Sequence, residues 1–389
     1  MESIEQMIKR LCPKGVEYVK LGDLFELRNG YTPSKGNVDF WTDGTIPWFR
    51  MEDIRANGRI LNDSIQHITP SAIKGKGLFP AGSFILATTA TIGEHALLTT
   101  DSLANQRFTN LSVRKTHQKD VNVKFLYHYM FIIDEWCKNN VNSSSFASVD
   151  MNKLKEYMIP IPPLEIQSRI VEVLDKMTTL TAELEAELEA RKQQYEYYRG
   201  MLLTFSEIGG VNRFVKLGDV CELGTGSHNT QDGLIEGLYP FYTRGIDILF
   251  LNEYDYDETA IVTAGDGAGV GKVIHFVKGK YSLHQRAYRI VADEQQVLAK
   301  YVYHYMKATF YNYIIRSSVS SSVTSVRKPM LYDYPIPIPP LSEQQRIVSI
   351  LDRFEALTTD LQSGLPAEIE ARRQQYEYYR NKLLTFEAV

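Results

Sequence analysis

Few residues in this chain have the types and spacing that catalysis demands, and each candidate lacks a group the chemistry needs. Gly265–Lys272 (GDGAGVGK) carries the glycines of a phosphate-cradling loop. However, Asp266 stands where such a loop needs its first glycine, and Val273 where Ser or Thr would hold magnesium. It reads as a turn-rich loop. Amine methylation needs Asn or Asp ahead of a proline pair, to accept the hydrogens of the target amine; Ile161 and Ile338 precede the two pairs here. His128 and His304 each sit in YHYM on an aromatic helix face, where a core or interface role outweighs ligation. Cys12, Cys137 and Cys221 are far apart and form no CxxC, against both a disulfide framework and a zinc site. Glu183, Glu185, Glu187 and Glu189 form a charge run that reads as a solvated face, with a docking surface for a basic partner as the sharper alternative. The expectation is a chain with no catalytic residue, no metal site and no cofactor of its own.

Binding chemistry is better represented. Two serine-rich loops, Asn142–Ser145 (with Ser143, Ser144 and Ser145) and Ser317–Ser322 (with Ser320 and Ser321), offer short hydroxyl side chains that bond phosphate oxygens or base edges. An ordinary flexible loop is the bland alternative. The net charge of −4 does not decide the matter. Residues 1–160 carry 19 Lys and Arg against 17 Asp and Glu, and residues 207–340 carry 13 against 14, so the acid excess sits mostly in the segments between and after them. A positive face can coexist with a negative back.

The elements that must position these residues come in pairs. IPIPPL occurs at Ile159–Leu164 and Ile336–Leu341, QQYEYYR at Gln193–Arg199 and Gln374–Arg380, and KLGD at Lys20–Asp23 and Lys216–Asp219. YHYM recurs at Tyr127–Met130 and Tyr303–Met306, and a QR pair at Gln106–Arg107 and Gln285–Arg286. The unit is half of the 389 residues, so this is a tandem pair of domains and not a solenoid, whose repeats run about 20–50 residues. Ser83–Ala87 and Ala260–Thr263 read as strands, and Asn122–Asn139 and Leu298–Arg316 as aromatic-rich helices.

After each IPIPPL comes a helical seam. Ile166, Ile170, Val173, Met177, Leu180, Leu184, Leu188, Tyr195, Tyr198, Leu202 and Phe205 step mostly by three and four, the signature of a coiled coil. The second copy follows through Ile347, Ile350, Phe354, Leu357 and Leu361 to Gly364-Leu365-Pro366. There the offset between copies grows from 177 (Ile159 to Ile336) to 181 (Gln193 to Gln374), and Pro366 breaks or kinks the helix. One helix leaves the first domain and the other must return, so the pair is antiparallel. The fold class is therefore α+β: two similar mixed α/β domains separated by two long helices in an antiparallel coiled coil, with pseudo-twofold symmetry. No apolar run approaches the about 18 residues of a membrane span and Met1–Arg10 lacks signal-peptide order. With its unpaired cysteines the chain is expected in the cytoplasm.

Each IPIPPL continues into EIQSRI (Glu165–Ile170) or SEQQRI (Ser342–Ile347), and upstream stand LCPKGVEYVKL (Leu11–Leu21) and GTIPW (Gly44–Trp48). In this order and spacing the chain resembles, over its whole length, the DNA-specificity (S) subunit of Type I restriction-modification systems. The resemblance implies target-recognition domains at 1–160 and 207–340, with coiled-coil helices at 161–206 and 341–389. Each domain would read one half of a bipartite target in double-stranded DNA, and the helices would set the spacer and dock two methyltransferase subunits. It further implies that S-adenosylmethionine, ATP and Mg serve partner subunits, a restriction subunit among them, while this chain supplies the address only. Domains reading different half-sites should share scaffold residues and differ at base-reading ones. On that ground the shared Gln106, Arg107, Gln285 and Arg286 hold the fold or touch phosphate. The unshared Arg28, Asn29, Tyr31, Lys35, Arg50, Lys74 and Lys76, and His228, Asn229, Arg244, Lys272, Arg327 and Lys328, are the candidate DNA contacts. The rival readings are a coiled-coil scaffold that never touches DNA and the specificity subunit of a modification-only system.

Overall fold

Prolines at alternate positions cannot continue a helix and cannot donate to a ladder, so the repeated IPIP has to be an edge strand. In the computed structural model, which describes residues 2–142, 147–205, 213–317, 325–360 and 363–388, it is one. Met158–Pro160 pairs antiparallel with Tyr18–Lys20, and Pro335–Ile338 with Arg213–Lys216, each as a separate two-stranded sheet. A single helical turn follows each first strand, Leu21–Leu24 and Leu217–Val220, burying Leu21, Leu24, Leu217 and Val220. These turns are the LGD of the repeated KLGD. The chain divides into two units, Met1–Glu183 with Glu370–Val389, and Leu184–Ile369.

In the first unit a five-stranded sheet runs in the order Phe25–Asn29, Phe108–Val113, Phe84–Ala87, His95–Leu98, Ile60–Leu61. Successive side chains of a strand face opposite ways. Phe84 and Leu86 accordingly join Phe125, Tyr129, Met130 and Ile133 of the helix Val123–Asn139, while Ile85 and Ala87 join Trp48, Phe49, Met51 and Ile54 on the other face. Both faces are covered, which is why Phe84–Ala87 and His95–Leu98 are buried throughout. A separate three-stranded sheet runs His67–Ile68, Ile46–Phe49, Leu103–Ala104.

Among the described residues, the second unit repeats the core of this build without the strand Ile60–Leu61 and the helix Met51–Asn57. Its six-stranded sheet runs Cys221–Thr225, Ala287–Ala292, Tyr256–Ala264, Ile274–Leu283, Tyr239–Tyr242, Leu249–Leu251. The single strand Ile274–Leu283 does the work divided in the first unit between His95–Leu98 and Leu103–Ala104, and so carries Tyr239–Tyr242 parallel to its far end. Ile261 and Ile290 face the helix Ala299–Ser317, whereas Ala260, Val262 and Val277 face away from it.

The central helix spans 40 residues, Leu164–Leu203. The C-terminal arm is two helices, Leu341–Thr359 and Leu365–Leu383. Asp360 leaves the helical conformation (φ −69°, ψ 114°), and a Cβ on Gly364 would come within 2.7 Å of the Ala356 and Asp360 carbonyls, so the restart needs glycine there. In the first unit the start of the central helix (Ile166, Ile170, Leu174) shares a core with the end of the arm (Tyr376, Leu383, Leu384). In the second, the start of the arm (Ile347, Leu351, Phe354) shares one with the end of the central helix (Tyr195, Leu202, Leu203). Head against tail in each case makes the pair antiparallel. The seam differs in phase from the sequence reading: Leu180 is 41% exposed and Thr181 turns inward in its place, because Leu174, not Val173, is the fully buried residue from which the three-four steps run.

The repeated glutamine after each proline pair bolts the helix to its domain. Gln167 and Gln344 are fully buried. Gln167 accepts the Asn122 N–H at 2.7 Å and donates to the Asp120 and Pro162 carbonyls at 2.8 and 2.6 Å. Gln344 accepts the Leu298 N–H at 2.9 Å and donates to Gln296 and Pro339 at 3.2 and 2.8 Å. His128 and His304 are the second bolt. Their Nε2 atoms lie 2.8 and 2.7 Å from Asp175 and Asp352 on the helices, which fixes the tautomer and leaves the Nδ1 of His128 to accept the Tyr376 hydroxyl at 2.9 Å. Among the described residues no helix is long and apolar enough to cross a membrane.

Candidate nucleic-acid interface

The scaffold of both units ends in the same turn. The strand Phe25–Asn29 ends at Gly30 and Cys221–Thr225 at Gly226, and at each a Cβ would run into the carbonyl of Ala104 or Leu283, just before the turn that carries the QR pair. Only glycine lets the strand end lie on that turn. Inside the turn the Arg107 N–H donates to Asn105 Oδ1 at 3.0 Å, and the Arg286 N–H to His284 Nδ1 at 2.9 Å. An imidazole in that acceptor role must be neutral. Burial lowers the pKa of His284, Arg244 and Arg286 lower it further, and Asp266 opposes them. Gln106, Arg107, Gln285 and Arg286 are all exposed at the turn tips.

Three further loops meet this end. The N–H of Thr88 bonds the Arg107 carbonyl at 3.0 Å and that of Gly265 bonds the Arg286 carbonyl at 2.8 Å, which makes Thr88 and Gly265 counterparts. The next residues, Thr89 and Asp266, bridge to Ser148 and Ser325. Those serines adjoin the two serine-rich loops; Ser143, Ser144, Ser145, Ser320 and Ser321 themselves lie outside the described residues. The third loop leaves the strand whose last residue, Phe49 in one unit and Tyr242 in the other, accepts the N–H of Asn105 or His284 on its carbonyl, both at 3.0 Å.

The candidate contacts distribute unevenly over this frame. Arg28 donates to the Lys76, Gly77 and Leu78 carbonyls and lies 5.0 Å over the Phe79 ring, and Tyr31 joins the same loop by bonding Ala72 O at 3.1 Å and the Lys74 N–H at 2.8 Å. Lys76 pairs with Glu26 at 2.7 Å. Arg28, Tyr31, Lys74 and Lys76 are thus gathered at one edge of the first sheet. Asn29, at the strand end, accepts from the Thr109 hydroxyl at 3.2 Å; Lys35 is exposed beyond it, and Arg50 lies over Trp48 at 5.9 Å.

In the second unit His228 sits 3.1 Å from Asp255, Asn229 accepts from the Gln285 amide, and Arg244 donates to Asp266 at 2.9 Å. Lys272 lies 5.2 Å over Tyr311 and shares with Arg244 a cleft of about 620 Å³. Arg327 and Lys328 open the short helix Lys328–Tyr332, just after Val326, whose N–H holds the Gly265 carbonyl at 2.7 Å. Sequence reasoning missed Asp266, Gln167, Gln344, Asp175 and Asp352. The glutamines were visible as the shared Gln of EIQSRI and SEQQRI, whereas the carboxylates carried no local signal.

One cluster has the makings of a cation site. His304, Asp352 and Glu355 bring their ligand atoms within 4.8 Å of one another. Lys307 already lies 2.8 Å from Glu355, and Lys300 lies 3.5 Å from Asp352 and 3.8 Å from Glu355, so two ammonium groups supply the positive charge. In the first unit His128, Asp175 and Lys124 repeat the arrangement, Lys124 being 2.6 Å from Asp175. A shared joint between domain and helix accounts for the cluster.

Two α/β domains, each bolted to the head of one helix of an antiparallel pair, define a class, and the comparisons name it. The model for the Type I restriction modification DNA specificity domain matches residues 13–191 and 211–371, and the chain belongs to that family. It is 38% identical over 377 residues to the Type I restriction enzyme EcoprrI specificity subunit of Escherichia coli, covering 93% of each chain. It is 35% identical over 300 residues to the EcoR124I/EcoR124II specificity subunit of the same species, covering 68% of this chain and 71% of that one. Among solved structures, the S subunit of a Type I restriction-modification system from M. genitalium aligns with a TM-score of 0.58 at 15% identity, over 95% of this chain and 96% of the other. A chain solved for the complex assembly and conformational transition of the type I R-M system aligns at 0.62 and 18% identity, over 96% and 98%.

Proposed function

We propose that the chain binds double-stranded DNA as the specificity subunit of a Type I restriction-modification complex, each domain reading one half of a bipartite target. The observation that carries this is the matched loop end: Gly30 and Gly226 and the two QR turns are superimposable in role, while the side chains around them differ between units. A common platform bearing different polar groups is what two readers of different half-sites require. Recognition domains would occupy 1–160 and 207–340, and the helices 161–206 and 341–389 would set the spacer and dock two methyltransferase subunits. Those partners would carry S-adenosylmethionine chemistry, and a restriction subunit the ATP- and Mg-dependent steps, in the cytoplasm. The target adenine would be flipped out of the duplex for methylation, since it cannot be reached inside the stack.

The test uses the chain with and without its modification partners. The assembled complex should retard duplex DNA in a sequence-specific manner; a scaffold would not. Labelled S-adenosylmethionine and DNA should give methylated product only when the partners are added, and product from the chain alone would overturn the assignment.

A further inference from the structure

The glycine loop that fails as a phosphate cradle closes on two arginines instead. Gly265 donates to the Arg286 carbonyl at 2.8 Å, and a Cβ there would come within 2.6 Å of the same oxygen; a Cβ on Gly269 would run into the Arg244 carbonyl. Glycine at both positions lets the loop lie flat against the two backbones. Between them, Asp266 receives Arg244 on Oδ1 and Arg286 on Oδ2, each at 2.9 Å. The carboxylate is largely covered, 22% exposed, while the guanidinium side chains are 39% and 62% exposed. Exposed ion pairs of this kind add little stability. What a shared carboxylate does is fix the direction of two planar forks, and each guanidinium places one N–H on Asp266 while its side chain stays partly exposed. Arg244 also lines the cleft with Thr230, Asp247, Gly267 and Lys272.

The first unit keeps only part of this device. Arg107 stands in the place of Arg286, but Thr89 replaces Asp266, and the residue in the place of Arg244, two beyond the strand residue held by the turn, is Met51. We propose that Asp266 orients Arg244 to read a guanine in the half-site of the second domain, while Arg286, like Arg107 in the first, grips a phosphate. This rests on the DNA-specificity reading above. Arginine matches guanine O6 and N7 bidentately, whereas phosphate contacts carry no sequence information. Asp266 is a positioning residue.

The test takes the complex assembled with its modification partners and the bipartite target fixed by mapping methylated adenines. Duplexes with every position of both half-sites randomised are then selected by Arg244→Gln, Arg244→Lys, Asp266→Asn, Arg286→Gln and Arg107→Gln complexes. Both Arg244 variants should lose guanine preference at one position by roughly 5- to 150-fold, the range of one good base contact, and Asp266→Asn should erode that same position. Arg286→Gln and Arg107→Gln should weaken all duplexes alike and reduce the salt slope by about 1. Continued selection of the first half-site by a variant shows that it is folded and assembled. The inference is overturned if the Arg244 variants leave the second half-site unchanged or weaken all duplexes equally, or if Asp266→Asn acts at another position. Should the unaltered complex select no bipartite sequence, the specificity-subunit reading itself fails, and the inference with it.

Discussion

Gln167 shows how one side chain fixes a boundary between elements. Its amide satisfies the Pro162 carbonyl in the proline-bearing entry to its own helix and, across the joint, the Asp120 carbonyl and Asn122 N–H just before the helix Val123–Asn139. Gln167→Leu keeps the volume but orphans those groups, and should cost about 2–4 kcal/mol of stability in urea denaturation, at the scale of one or two unmet buried hydrogen bonds. The buried histidines set a pH dependence. Burial, the largest effect on each, holds the imidazoles of His95, His128 and His304 below their ordinary 6.5, although Asp134, Asp175 and Asp352 pull the other way. Unfolding releases them to take up protons, so the stability present above about pH 6.5 is lost as pH falls below it, by at most about 1.4 kcal/mol per pH unit for each histidine. The urea midpoint should drop between pH 7.5 and pH 5.5, and His304→Gln should drop less. At this scale the sequence showed which residues repeat but not what they bond. Gln167 and His128 were legible as repeated letters, yet their partners Asn122, Asp120 and Asp175 come from elements brought together only by the fold.

Among the elements, those governed by local rules could be read directly. IPIP had to be extended, the three-four seam had to be helical, and Pro366 marked the break between Thr359 and Leu365. The phase of the seam was not legible, because the first turns of the central helix pack on the domain as well as on the other helix, so that Ile170 and Val171 are both buried and the apolar face is wider than a single stripe. The glycine loop was legible only as an exclusion; its contacts to Arg244 and Arg286 depend on strands far apart in sequence. If the helices act as a ruler, seven residues inserted into each arm add about 10 Å, and the unread gap in the target should grow by about three base pairs at 3.4 Å each. Mapping of methylated adenines reads this directly. A gap that stays fixed would deny the helices that role.

At the scale of the molecule the duplication carried most of what could be known. It gave two domains, two helices and their opposed directions. Strand order lay beyond it, since the division of one strand, Ile274–Leu283, into His95–Leu98 and Leu103–Ala104 leaves no mark in composition. The central claim is that each domain reads its half-site independently. Exchange of residues 22–157 for the same region of a relative with a different target, followed by mapping of methylated adenines in the host genome, tests it most directly. One half of the target should become that of the relative while the other half stays as it was; a change in both halves, or in neither, would contradict the account.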